Sequence, residues 1–158
     1  MPLTYADAQP HALTSAQLDA ALAIEERCSP HPWTRGNFEG SFSSGHWAQG
    51  LSLGGELLGY CIAMPAADEA HLLNIAVAPE HQKRGLAQRM VRALLAWARR
   101  QGAHDVWLEV RAGNERAQRL YLRQGFAPAG RRPGYYPCPG GQREDALLMR
   151  LQLQGATA

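Results

Sequence analysis

Glu109 is a carboxylate inside an otherwise apolar run, Val106-Trp107-Leu108-Glu109-Val110. Such a group is costly if buried without a partner, and it can accept a proton where a reaction requires one. Side chains alternate along a strand, so Trp107 and Glu109 share one face while Leu108 and Val110 share the other. Tyr121 follows twelve residues later, and a phenol can donate a proton to a departing anion. A third feature is the segment Gln82-Lys83-Arg84-Gly85-Leu86-Ala87-Gln88. A short loop leading from a strand into a helix leaves backbone N–H groups unpaired at the positive end of the helix dipole, and such an end binds phosphate. Gly85 permits a sharp turn and close approach of a bulky anion, while Lys83, Arg84 and Arg89 add positive charge. By residue type alone, plainer roles fit as well. Glu109 can face water or pair with an arginine, Tyr121 can pack beside Phe126, and Gly85 can serve the turn alone. Asn114 can simply cap a helix.

These residues need elements to position them. Ser15 is the expected cap of a helix running through Leu18 and Leu22 toward Cys28, stopped by Ser29-Pro30-His31-Pro32. Thr34 caps a second, short helix to about Phe42. Trp47–Leu53 and Glu56–Met64 read as strands joined by the tight-turn pair Gly54-Gly55. Glu69–Val77 is a third strand. After Gly85, apolar Leu86, Met90, Leu94 and Trp97 recur on one helical face, and Gly102 ends that helix. Asp105–Val110 is a strand and Asn114–Gln124 a helix. The last two strands begin near Phe126 and Asp145, with the Pro- and Gly-rich stretch Pro133–Gly141 expected as a loop between them. Strand 69–77, helix 85–101 and strand 104–110 form a crossover unit that makes those strands parallel.

Composition narrows the class. The chain has 158 residues, 46% of them hydrophobic and 19% charged, with a net charge of +2. That is an ordinary globular composition, long enough for one core, and too balanced for binding nucleic acid through bulk charge. Lys83 is the sole lysine among 16 basic residues. Cys28, Cys61 and Cys138 are widely spaced and form no CxxC pair, which reads as a reduced intracellular protein. The histidines show no HxxxH or Cys/His spacing, so no metal site is expected. The N-terminus lacks a signal-peptide pattern, and the longest apolar run, Ala93–Ala98, is far short of a membrane span.

Gln82-Lys83-Arg84-Gly85-Leu86-Ala87 stands after Leu73-Asn74-Ile75-Ala76-Val77 and before a long helix. There it matches the Q/R-x-x-G-x-G/A signature of the GNAT acyltransferases. The chain is further similar, over almost its whole length, to the ribosomal-protein-alanine N-acetyltransferases. The matching segments are His31-Pro32-Trp33, Asn74-Ile75-Ala76-Val77-Ala78-Pro79, Trp107-Leu108-Glu109-Val110-Arg111, Asn114, Leu120-Tyr121, Gly125-Phe126, Arg131-Arg132, Tyr135-Tyr136-Pro137 and Arg143-Glu144-Asp145-Ala146.

This resemblance implies the GNAT fold, an α/β (α+β) architecture. A central mixed, twisted sheet of about six to seven strands carries helices on both faces, in a single domain over 1–158. It implies acetyl-CoA as co-substrate and no metal. Lys83, Arg84, Gly85, Leu86, Ala87 and Gln88 would hold its pyrophosphate, the backbone of Ile75, Ala76 and Val77 its pantetheine arm, and Asn114 would touch it as well. Glu109 becomes the general base and Tyr121 the general acid of a direct attack in a ternary complex. The implied acceptor is the N-terminal alanine of small-subunit ribosomal protein eighteen. Trp33, in the turn between the first two helices, and Tyr135 and Tyr136, in the last loop, would contact that peptide. An α-amine titrates near 7.7–8.0 and a lysine near 10.4, so deprotonating the lysine costs roughly 3–4 kcal/mol more at neutral pH. A modest carboxylate base therefore suits an N-terminus. The expected setting is a cytoplasmic monomer without direct nucleic-acid or membrane contact. Other protein N-termini, lysines or a small amine are alternative acceptors, and a non-catalytic acyl-CoA-binding module is the alternative of another class.

Overall fold

The structure, a computed structural model, describes residues 1–153; the last five residues of the expected 1–158 domain lie outside them. Seven strands and four α-helices alternate along the chain: β1 (Gln9–Ala12), α1 (Leu18–Cys28), α2 (Arg35–Ser43), β2 (Trp47–Leu53), β3 (Glu56–Ala66), β4 (Glu69–Val77), α3 (Leu86–Arg100), β5 (Asp105–Arg111), α4 (Glu115–Arg123), β6 (Ala127–Pro137) and β7 (Arg143–Gln152). The strands hydrogen-bond in the order β1-β2-β3-β4-β5-β7-β6. The sheet is mixed as expected: β4 and β5 are parallel, and β1–β2, β2–β3, β5–β7 and β6–β7 are antiparallel. The chain forms two compact units, one of Met1–Ala63 with Asn74–Val91, the other of Met64–Leu73 with the described chain from Arg92 onward.

In the first unit, the β2–β3 hairpin turns at Gly54 and Gly55 with φ of +58° and +86°. Paired positive φ values match the twist of the flanking strands, so the glycine pair sets the register that brings Leu53 opposite Glu56. Thr34 caps α2: its Oγ1 accepts from Asn37 N at 3.2 Å, and Asn37 Oδ1 accepts from Thr34 N at 2.9 Å. Ser15 is not the cap of α1, whose N-cap position is Gln17. Ser15–Gln17 form a 3-10 turn capped by Thr14, and α1 begins at Leu18. Leu18, Ala21, Leu22 and Ile24 of α1 enter a core with Phe38, Tyr60 and Ile62.

In the second unit, β5 pairs with β4 over Asp105–Trp107 and with β7 along its whole length. Its inward residues Val106, Leu108 and Val110 are at most 6% exposed, as the alternation requires. Asn114 caps α4, its Oδ1 accepting from Ala117 N at 3.2 Å. The stretch Pro133–Pro137, expected as loop, is strand. Tyr136 pairs with Glu144 and Pro137 with Arg143 across the β6–β7 ladder. β6 lies at the sheet edge, where a proline's missing N–H breaks no ladder bond.

Candidate active site

The sequence-predicted residues divide between the two units. In the first, Lys83–Gly85 connects β4, through a 3-10 turn at Pro79–His81, to α3. Gly85 has φ +77°, and a Cβ built there would meet nothing within 4 Å. The loop thus carries two left-handed residues, Lys83 at φ +63° and Gly85, with open space at the Gly85 Cβ position, a geometry compatible with an anion at a helix N-terminus. Gly85 O accepts from Arg89 N at 3.1 Å, so the α3 ladder starts at Gly85. Lys83 and Arg84 are exposed, Ala87 and Gln88 half-buried, and Leu86 sends its side chain into the core at 2% exposure. Gln82 Nε2 donates to Val77 O at 2.9 Å, bracing the end of β4 from inside the signature. Ile75 and Ala76 are half-buried and Val77 buried. Arg89, expected to add positive charge at the loop, also has partners of its own. Its guanidinium donates to the carbonyls of Tyr5 at 3.0 Å and Ala8 at 2.7 Å.

Trp33 lies between α1 and α2, packed edge-on against Phe38 at 5.2 Å between centroids. Its backbone N–H donates to Oε2 of Glu25 at 2.8 Å. Glu25, only 4% exposed, also accepts from the Tyr60 hydroxyl through Oε1. Burial in this pocket, next to the Glu25 charge, drives the Tyr60 phenol far above its ordinary value. Sequence reasoning missed Glu25, although a signal existed. It follows Leu18, Ala21 and Leu22 at helical spacing, so it sits on the apolar face of α1.

In the second unit, Glu109 stands half-buried on β5. Its Oε1 is 3.4 Å from Arg132 Nε, with side-chain exposures of 30% and 53%. The Tyr135 hydroxyl hydrogen-bonds Glu109, and the carboxylate's charge, followed by that bond, raises the Tyr135 phenol above its usual range. Tyr136 packs edge-on against Tyr135 at 5.0 Å, under the Arg111 guanidinium, 4.4 Å from the ring centroid. Burial, then the Glu109 charge, pushes Tyr136 up to about 12. Arg111 is itself held by Glu144 at 3.1 Å. Trp107 shares the Glu109 face of β5 and has its indole N–H buried without a hydrogen-bond partner. Tyr121 is 5% exposed and meets Phe126 edge-on at 5.8 Å. It rides on the helix that Asn114 caps. The tertiary structure therefore gathers Glu109, Tyr135 and Tyr136 into one cluster and adds Arg132, which the sequence left inside a matched dipeptide with no role.

Among the described residues, one group elsewhere has metal-ligand chemistry: Glu56, Glu80 and His81 bring one ligand atom each within 4.8 Å of one another. Each is already engaged, Glu80 by Arg27, and His81 by Tyr5 at 2.9 Å and Glu56 at 2.9 Å.

A family model described as acetyltransferase (GNAT) family matches residues 13–126. The chain is 36% identical over 141 residues to the ribosomal protein bS18-alanine N-acetyltransferase of Escherichia coli (strain K12), covering 89% of this chain and 95% of that protein. It is 34% identical over 134 residues to the putative enzyme of the same description from Bacillus subtilis (strain 168), covering 84% and 87%. The crystal structure of the ribosomal-protein-S18-alanine N-acetyltransferase from Escherichia coli superposes with a TM-score of 0.86 at 35% identity, covering 92% of this chain and 93% of that one. A GNAT family acetyltransferase from Elizabethkingia anophelis with acetyl-CoA bound shares the fold, with a TM-score of 0.76 at 17% identity over 93% of this chain.

Proposed function

Since the chain belongs to the GNAT family of acetyltransferases, we propose that it moves an acetyl group from acetyl-CoA to the N-terminal alanine of ribosomal protein bS18. The observation that carries this reading is the near-full-length likeness to enzymes of that description, at 36% identity over 89% of the chain. The loop at Gly85 supports the donor: its positive φ and the open space above it suit a pyrophosphate met by backbone N–H groups and by Lys83 and Arg84.

In the proposed reaction, Glu109 takes a proton from the peptide's α-ammonium group. The neutral nitrogen attacks the thioester carbonyl carbon, the new C–N bond forms, and the carbonyl oxygen carries the negative charge of the tetrahedral intermediate. Collapse of that intermediate breaks the C–S bond, and the CoA sulfur leaves with the electron pair and receives a proton from the Tyr121 hydroxyl. The cationic nitrogen gives up its second proton to become the amide; through solvent that proton restores the Tyr121 phenol, and Glu109 releases the proton it took to water. Peptide and acetyl-CoA are bound together, so no acyl-enzyme is needed. Asn114 contacts the donor while capping α4, since a side-chain amide has separate donor and acceptor ends. Trp33, Tyr135 and Tyr136 are the proposed peptide contacts. The chain works as a single catalytic domain and monomer in the cytoplasm, where its substrate is made. No helix among the described residues is long and apolar enough to cross a membrane.

The test is to incubate the purified protein with acetyl-CoA and peptides carrying the bS18 N-terminus, with the α-amine free or blocked. Acetylation of the free α-amine alone supports the reading. Labelling confined to lysine overturns it, and CoA binding without turnover would make the chain a binding module.

A further inference from the structure

Arg131 and Arg132 are neighbours on β6 with different partners, as alternation along a strand demands. Arg131 Nε donates to Asp145 Oδ2 at 2.6 Å, and Asp145 Oδ1 accepts from Gly134 N at 2.9 Å. That pairing ties β6 to β7. Arg132 points the other way, to Glu109 Oε1 at 3.4 Å. Its guanidinium carbon lies 5.4 Å from the Tyr135 ring centroid, so the planar group is shelved on the aromatic ring beside the carboxylate. Half of the Arg132 side chain, 53%, remains exposed, leaving donors of its five N–H groups for another acceptor.

The result is an anion and a cation side by side, 3.4 Å apart. An unmodified protein N-terminus presents the complementary pair. Its ammonium nitrogen and the carbonyl oxygen of its first residue are separated by two bonds and one C=O, about 3 Å. A lysine ε-amine ends a flexible chain of four methylenes and has no carbonyl beside it. Resting on the reading of Glu109 as the base, we propose that Arg132 determines specificity for α-amines, donating to the first carbonyl oxygen of the acceptor while Glu109 receives the ammonium group. Tyr135 is the shelf that keeps the guanidinium in register with the carboxylate. An exposed ion pair of this kind contributes little to stability, so Arg132 can be replaced without losing the fold.

The experiment compares wild type, Arg132→Met and Arg132→Lys on a peptide that carries both a free N-terminal alanine and one lysine. Rates are followed by mass spectrometry at each amine, with CoA affinity measured alongside. The expected result for Arg132→Met is a KM for the α-amine raised about tenfold or more, the loss of one charge-assisted hydrogen bond, with kcat within threefold. The share of acetyl found on lysine should rise, and Arg132→Lys should recover part of the loss. A fall in kcat at unchanged KM overturns the proposal, because Arg132 then acts only through Glu109. Unchanged KM and unchanged site preference overturn it as well. Failure of the underlying reading looks different: wild type then leaves the α-amine unmodified, or Glu109→Gln retains full turnover.

Discussion

The Tyr60 hydroxyl donates to Oε1 of Glu25 inside an apolar cluster, 35 residues away along the chain. The other oxygen of the same carboxyl holds the Trp33 backbone N–H, so one buried group fixes both β3 and the connection from α1 to α2. Removing one partner leaves a polar group buried with fewer bonds, and that penalty exceeds the net worth of the bond itself. Tyr60→Phe should therefore destabilise the protein by about 1–3 kcal/mol, read as a lower urea midpoint at unchanged m-value. An unchanged midpoint would show that Glu25 is satisfied without Tyr60.

Loss of the proposed proton carriers should separate chemistry from binding. Glu109→Gln and Tyr121→Phe should each lower kcat by about 10²-fold or more while CoA affinity stays within about twofold. Glu109 is 30% exposed and its ion-pair partner Arg132 53%, so thermal stability should hardly change in the first variant. Tyr121 is buried, yet Phe keeps its ring against Phe126. Full activity in either variant would remove that residue from the mechanism.

Gly85→Ala tests the anion cradle. At φ +77° any side chain is strained, at a cost of about 1–2 kcal/mol, but the Cβ meets no protein atom within 4 Å. The expected outcome is a folded protein with a modestly lower Tm and an affinity for CoA weakened about tenfold, seen by calorimetric titration. Unaltered CoA affinity would place the pyrophosphate elsewhere.

Acid should report on Arg27 and Glu80. The hydrogen bond from Arg27, the largest cause, holds the Glu80 carboxyl at about 2, below its ordinary 4.5. A depressed folded-state value means the interaction stabilises the fold fully above about pH 5 and is lost as pH falls through about 2. Both side chains are about half exposed, so the effect is small. Arg27→Gln should lower Tm slightly at pH 7, and the gap to wild type should close at pH 2. A gap that persists at pH 2 would assign the loss to packing of the arginine stem.

Much of the local structure of both units was legible along the chain. Thr34 with Asn37, Gly54 with Gly55, and Asn114 with Ala117 act over two or three residues, so the information for caps and turns is local. The signature at Gly85 was legible for the same reason. The partners of Arg89 were not: its acceptors, Tyr5 and Ala8, lie 84 and 81 residues away. The Pro133–Pro137 stretch misled because proline opposes a strand in general, while only the strand order reveals that β6 is an edge.

The amino-acid sequence by itself determined the order of elements, the alternation that puts Trp107 and Glu109 on one face, the glycine loop, and the family. These follow from short-range backbone geometry and from side-chain periodicity. Only the tertiary structure decided which of fifteen arginines meets Glu109, and that Glu25 is buried with Tyr60. Those pairs depend on the register between strands and on packing between distant segments. A one-residue slip would turn Arg132 away from Glu109 and bring Arg131 into its place.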